Sequence, residues 1–220
     1  MASIAYSADS ATRDTQFLII PGLNNSGPDH WQTRWEATRA DCHRADLGLW
    51  NAPNRNAWVN RLNMEVMRSA RPTILVAHSL GCLAVAWWAA MEKPGADSPV
   101  VGALLVAPPE VESGVTDPRL LAFAPAPRGV LPFPSILVAS RNDSYIPFDR
   151  ARRLASFWGS RFADAGQIGH INADSDIGEW EFGQFLLGQL ERMAGIGGPQ
   201  AVAAPQYRYP APTDYLAAGL

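Results

Sequence analysis

A serine lies where an apolar run gives way to a helical pattern, in the stretch Thr73-Ile-Leu-Val-Ala-His-Ser-Leu-Gly-Cys82. Ala77 stands two positions before Ser79, and Gly81 two positions after it. A serine held in a tight strand-to-helix turn exposes its hydroxyl for attack on a carbonyl, and its neighbours must be small because strand and helix approach closely. The usual first small residue is glycine, so Ala77 is a mild departure. Ser79 is the candidate nucleophile; the alternative is that it only caps the helix.

A serine hydroxyl needs a general base, which a third group must orient. His170 is the one histidine after Ser79 in the sequence, and it lies between an apolar segment and the last helical pattern. Asp143 follows another apolar run and precedes a helical pattern that begins near Pro147. The order serine, aspartate, histidine, each after a strand, predicts a catalytic triad of Ser79, Asp143 and His170. The alternative for Asp143 alone is a cap on the following helix, and the alternative for His170 alone is a structural histidine in its loop.

Acyl transfer further requires N–H donors aimed at the oxygen that becomes negatively charged. The backbone N–H of Leu80, directly after the nucleophile, is expected to be one donor. The second is expected from the loop that begins Pro21-Gly22, where Leu23 is the first choice and Asn24 the second. The alternative for this loop is a simple turn.

The remaining polar residues indicate no metal and no cofactor. The histidines and aspartates lack metal-ligand spacing, and Asp174-Ser-Asp176 resembles a helix cap more than a calcium loop. The sequence contains neither a dinucleotide-binding glycine fingerprint nor a phosphate loop. His30 and Trp31 are expected to anchor the first helix, with a place in the pocket wall as the alternative. His78, inside the serine turn, is not expected to be the base.

Strands and helices that would position these residues alternate along the chain. Apolar runs typical of strands buried on both faces occupy 16–21, 73–77, 100–107 and 135–140, with weaker candidates at 44–49 and 161–167. Helical patterns carry Trp31 and Trp35 and cover 56–70, 80–91, 147–158 and 176–193, with Asn56 and the pair Asp176 and Glu179 as expected caps. This alternation predicts an α/β fold with a mostly parallel sheet of about six strands and helices on both faces.

Segment composition suggests one domain at 16–194, a flexible lead-in at 1–15 and a disordered tail at 195–220. The segment 108–134 is rich in proline and glycine and long for a connection, which is typical of a lid or a pocket wall.

The overall composition and charge limit the classes of molecule that the protein is expected to bind. A net charge of −3 in 220 residues gives no attraction to nucleic acid or anionic membranes. Neither a signal-peptide pattern nor an apolar stretch of membrane-spanning length occurs in the sequence. We therefore expect a cytoplasmic protein with reduced cysteines, acting on a small-molecule acyl substrate and binding neither nucleic acid nor membrane.

Four segments together resemble a known family. They are Ile-Ile-Pro-Gly-Leu-Asn-Asn-Ser-Gly-Pro-Asp-His-Trp-Gln-x-Arg-Trp-Glu at 19–36, Ala-His-Ser-Leu-Gly-Cys at 77–82, Arg-Asn-Asp-Ser-Tyr-Ile-Pro at 141–147 and Gly-His-Ile-Asn at 169–172. The chain is similar, over roughly 16–193, to the compact serine hydrolases grouped with the retinoblastoma-binding hydrolase. The resemblance implies a shortened α/β-hydrolase fold and the triad Ser79, Asp143 and His170.

The expected activity is that of a carboxylesterase that cleaves small acyl esters through an acyl-enzyme. Amide or thioester cleavage by the same triad is an alternative, as is a binding or scaffolding protein on a hydrolase fold. The Leu-x-Cys-x-Glu pattern that contacts retinoblastoma-type pockets is not present, because Leu83 and Ala84 follow Leu80-Gly-Cys82.

Overall fold

A single parallel sheet organises the protein, whose computed structural model describes residues 15–196. Its six strands lie in the order β2-β1-β3-β4-β5-β6, and every neighbouring pair is parallel. The prediction of a mostly parallel sheet of about six strands is confirmed. The strands are β1 (Gln16–Ile20), β2 (Cys42–Arg44), β3 (Thr73–His78), β4 (Val100–Val106), β5 (Ser135–Ala139) and β6 (Arg161–Asp164).

Helices cover both faces of the sheet. Because alternate strand residues point to opposite faces, β1 supplies Leu18 and Ile20 to one core and Phe17 and Ile19 to the other. The continuous apolar runs in the sequence reflect this double burial. The first core is covered by α2 (Arg55–Met67), α3 (Leu80–Glu92) and α4 (Phe148–Trp158), and the second by α1 (Trp31–Thr38) and α5 (Glu181–Met193).

The second strand is shorter and earlier than predicted. It covers Cys42–Arg44 and not 44–49, and it pairs with β1 only from Phe17 to Ile19. The chain turns away shortly afterwards, where Gly48 adopts a φ of 91°. An edge strand of three residues buries too little to leave a clear apolar pattern in the sequence.

Helix starts also differ from prediction. The last helix begins at Glu181, because Asp176 and Trp180 both adopt left-handed backbone conformations that end any helical run before it. The expected capping box of Asp176 and Glu179 is therefore wrong. A capping box does occur earlier, where Asn172 caps a short 3-10 helix, Ala173–Ser175. The cap of α2 is Asn54 and not Asn56.

The long connection 108–134 is tied to the rest of the fold along its length. Trp158 Nε1 donates to the carbonyl of Pro127, and Trp87 Nε1 donates to the carbonyl of Phe123. The backbone N–H of Glu110 donates to Tyr145, and the Glu110 carboxylate pairs with Arg150 at 2.7 Å. These ties favour a fixed pocket wall over a lid.

None of the helices within residues 15–196 combines the length and the hydropathy that a membrane-spanning helix requires. Cys42 and Cys82 are buried and free. The expectations for the lead-in and the tail concern 1–14 and 197–220, which lie outside the described residues.

Candidate active site

The candidate residues meet at the carboxyl ends of the strands. From β1 the chain runs outward to β2 and then returns to β3 on the other side of β1, so strand order reverses between β1 and β3. Open α/β sheets bind ligands at such reversal points. A cleft of about 300 Å³ lies there, and its lining includes Leu23, His30, Ser79, Arg119, Tyr145 and His170.

Ser79 occupies a strained turn between β3 and α3. Its φ of 52° and ψ of −125° lie outside the regions that non-glycine residues normally adopt. Strain of this kind costs roughly 1–3 kcal/mol and is typical of functional sites. The Ser79 side chain makes no capping hydrogen bond to α3, so the alternative that it only caps this helix does not hold.

Two glycines allow the loop after β1 to press against this turn. A methyl group on Gly81 would lie 2.4 Å from the carbonyl oxygen of Ile20 and 2.7 Å from that of Pro21. A methyl group on Gly22 would lie 2.7 Å from Ser79 Cβ. All three distances are shorter than real Cβ contacts allow, so the nearness of the end of β1 requires a glycine two positions after the nucleophile.

Ser79, His170 and Asp143 form a continuous hydrogen-bonded chain. Ser79 Oγ lies 2.9 Å from His170 Nε2, and His170 Nδ1 lies 2.9 Å from each carboxylate oxygen of Asp143. Because a carboxylate can only accept, Nδ1 carries the proton and Nε2 is left free to accept one from the serine. The arrangement is that of a nucleophile, a general base and the acid that orients the base.

The Asp143 end of this hydrogen-bonded chain is shielded from solvent. The Asp143 side chain is fully buried, and its Oδ1 also accepts the backbone N–H of Tyr145 at 2.8 Å. The Tyr145 ring packs on the His170 ring, with centroids 4.2 Å apart. Tyr145 is thus a site residue that sequence reasoning missed. The sequence shows Tyr145 within the segment 141–147 that carries Asp143. Its ring contact with a histidine 25 positions away, however, leaves no pattern in the local sequence.

Two backbone N–H groups beside the nucleophile turn have no hydrogen-bond acceptor among the described residues. Among the hydrogen bonds of the described residues, the amides of Leu23 and Leu80 donate to no protein acceptor, whereas the Asn24 amide donates to the carbonyl of Trp50 at 2.8 Å. The absence of a side chain at Gly22 lets the two loops approach, because a methyl group there would lie 3.0 Å from the backbone nitrogen of Leu80. The geometry favours Leu23 over Asn24 as the second donor.

Two further histidines adjoin the base. His30 caps α1, because its Nδ1 accepts the Gln32 N–H, and it also lines the cleft, so both expectations for it hold. His78 is buried, and its ring centroid lies 5.0 Å from that of His170. Burial lowers the pKa of His30 to about 3, with the positive charge of Arg44 adding to the effect, and burial holds the pKa of His78 well below its usual range.

The low pKa of His30 links folding to pH. In the unfolded chain a histidine takes up its proton near pH 6.5, whereas folded His30 remains neutral down to about 3. The unfolded state therefore binds more protons between these limits, and His30 destabilises the fold as the pH falls through this window.

No group of three or more histidine, cysteine, aspartate or glutamate side chains within 15–196 is arranged to hold a metal ion.

Comparison with known proteins places the chain in a family. Residues 17–189 match the serine hydrolase family. A YdeN-like hydrolase from Pectobacterium atrosepticum is 30% identical, with 84% of this chain and 94% of that chain covered and a TM-score of 0.72. No curated protein sequence matches this chain.

More distant structures share the fold. The ydeN gene product of B. subtilis is 21% identical over 81% of this chain and 99% of that chain, with a TM-score of 0.65. Est1E from Butyrivibrio proteoclasticus is 13% identical over 82% and 90% of the two chains, with a TM-score of 0.58. With the family match over most of its length, the chain belongs to the serine hydrolase family and is a hydrolytic enzyme of the α/β-hydrolase fold.

Proposed function

We propose that this enzyme is a carboxylesterase that cleaves small acyl esters through a covalent acyl-enzyme on Ser79. The observation that carries the proposal is the unbroken hydrogen-bonded chain from Ser79 Oγ through His170 to the buried carboxylate of Asp143. Its position in a cleft at the strand-order reversal supports access of a small substrate to the serine.

In the first half-reaction, Ser79 Oγ bonds to the ester carbonyl carbon while His170 Nε2 takes the hydroxyl proton. The carbonyl oxygen becomes an oxyanion, which the amides of Leu23 and Leu80 stabilise. The intermediate then expels the alcohol, which receives the proton from His170. Asp143 stabilises the imidazolium throughout without taking the proton.

In the second half-reaction, water replaces the alcohol. His170 removes a proton from the water as its oxygen attacks the acyl carbon, and the same two amides hold the new oxyanion. The bond to Ser79 Oγ breaks, the serine regains a proton from His170, and the carboxylic acid leaves.

The size and lining of the cleft favour substrates with short or polar acyl groups. Its volume of about 300 Å³ is at the lower end of ligand pockets. Its rim carries Asn24, Asp117, Arg119 and Asn172, and Arg119 joins two sides of it by donating to the side chain of Asn24. Nitrophenyl acetate and butyrate are therefore expected to be hydrolysed faster than the decanoate.

A fluorophosphonate probe tests the proposal, because it reacts with activated serines. The wild-type protein is expected to be labelled, and Ser79→Ala is expected to lose labelling and esterase activity together. Ser144→Ala is the matched control, since Ser144 is an exposed serine beside Asp143 and outside the hydrogen-bonded chain. Undiminished labelling of Ser79→Ala would overturn the proposal. Turnover of an amide but not of the matched ester would replace the esterase with an amidase.

A further inference from the structure

The backbone that carries the base is held by two ring N–H groups from distant parts of the chain. His78 Nε2 lies 2.9 Å from the carbonyl oxygen of His170, and Trp31 Nε1 lies 2.8 Å from the carbonyl oxygen of the next residue, Ile171. A carbonyl oxygen only accepts, so both ring nitrogens donate. Two consecutive carbonyls are thus fixed. The donor to the first comes from the start of the nucleophile turn, and the donor to the second comes from α1.

This backbone would not hold its shape unaided. Ile171 has a φ of 51°, which a β-branched residue adopts only when its surroundings impose it. Its side chain is fully buried in the core beneath α1 and α5. The left-handed turn at Ile171 lies directly after His170, and the carbonyls of these two residues accept from different donors.

We propose that Trp31 and His78 are positioning residues, whose ring N–H groups hold the strained turn at 170–171 and so keep His170 Nε2 in line with Ser79. The inference rests on the proposed function, since it assigns the two residues to the same reaction. Neither residue exchanges a proton with the substrate; each acts through the base. A displacement of about 1 Å in a catalytic group can cost about 10²-fold in rate, so a small relaxation of this turn is expected to be visible in turnover.

The same helix provides a matched control. Trp35, one turn after Trp31, is also fully buried, and its Nε1 donates to the carbonyl of Glu179 at 2.8 Å. The two indoles make the same kind of hydrogen bond to the same segment between β6 and α5. Only the bond from Trp31 reaches the residue beside the base.

The experiment compares Trp31→Phe with Trp35→Phe in the full-length enzyme. Each substitution removes one indole N–H and retains an aromatic ring, so both are expected to lower thermal stability to a similar extent. Trp31→Phe is expected to lower kcat/KM about tenfold or more, and Trp35→Phe less than about twofold. The loss is expected in kcat with KM little changed, because the substitution acts on the base and not on the contacts that bind the substrate.

A second pair tests His78. His78→Phe removes the donor and is expected to lower kcat/KM at least as much as Trp31→Phe. His78→Gln retains a side-chain N–H and is expected to recover part of the loss. If His78→Phe does not fold, the Trp31 and Trp35 pair decides the question alone.

The outcomes separate the two proposals. If the wild-type enzyme is not labelled by the fluorophosphonate, the proposed function fails; the positioning role is then tested by the ¹⁵N resonances of the His170 ring, which Trp31→Phe and not Trp35→Phe should shift. If the wild-type enzyme is labelled and Trp31→Phe keeps the activity of Trp35→Phe, the positioning inference is overturned and the proposed function stands.

Discussion

Gly81→Ala perturbs the contact that brings the nucleophile turn against the first strand. Alanine is the better helix former, and Gly81 has an ordinary helical backbone, so propensity alone predicts a more stable protein. The structure predicts the opposite, because the new methyl group would lie 2.4 Å from the carbonyl oxygen of Ile20 and 2.7 Å from that of Pro21. Both atoms belong to the backbone, which cannot rotate away as a side chain would.

The size of the effect follows from these distances. Ordinary van der Waals contact begins at 3.4 Å, so β1 and α3 must separate by roughly 1 Å at this point. Overpacking of this kind costs about 1–3 kcal/mol of unfolding free energy. The displaced carbonyls immediately precede Gly22 and Leu23, so the proposed oxyanion donor moves away from Ser79. Loss of one such donor lowers kcat by about 10²–10³-fold.

Two measurements test this prediction: urea unfolding for stability, and ester hydrolysis under conditions where the variant is folded. Gly129→Ala is the control, because no atom lies within 4 Å of the Cβ position at Gly129 and its φ is not left-handed. The control is expected to retain wild-type activity and stability within about 0.5 kcal/mol. Wild-type turnover by Gly81→Ala would refute the close approach on which the site's geometry depends.

Three further substitutions probe separate parts of the account. Asp143→Asn removes the charge that stabilises the imidazolium and is expected to lower kcat about 10³–10⁴-fold; a loss below tenfold in steady-state assays contradicts the triad. His30→Asn keeps a capping oxygen but removes the ring with the lowered pKa. The free energy of unfolding that the protein loses between pH 7 and pH 5, measured by urea titration, should therefore shrink by about 2 kcal/mol. A loss equal to that of the wild type would contradict the lowered pKa of His30. Arg150→Met leaves the buried Glu110 carboxylate unpaired, and denaturation should show a loss of about 1–3 kcal/mol that the exposed Arg153→Met does not share.

The central sheet was predictable because its strands are buried on both faces. β1, β3, β4 and β5 appear in the sequence as continuous apolar runs, and their parallel order follows from the helices between them. The elements that were misplaced depend on contacts outside their own segment. β2 pairs over three residues at the sheet edge, and the start of α5 is set by left-handed residues at 176 and 180.

The three residues of the candidate triad were more predictable than the residues that surround them. Ser79, Asp143 and His170 follow β3, β5 and β6, and the ends of parallel strands meet at one edge, so chain order alone brought them together. Trp31 and Tyr145 could not be assigned in this way. Trp31 reaches a carbonyl 140 positions away, and Tyr145 packs on the ring of His170, which lies 25 positions later in the sequence. Such long-range contacts are set by packing, which a single sequence does not encode locally.

The most direct test of the central claim is the site of covalent modification. After reaction with a fluorophosphonate, digestion and mass spectrometry are expected to find one phosphonyl group, on Ser79, and Asp143→Asn should slow its formation. Modification of a different serine, or of Ser79 at the same rate in Asp143→Asn, would contradict the claim that His170 and Asp143 activate this nucleophile.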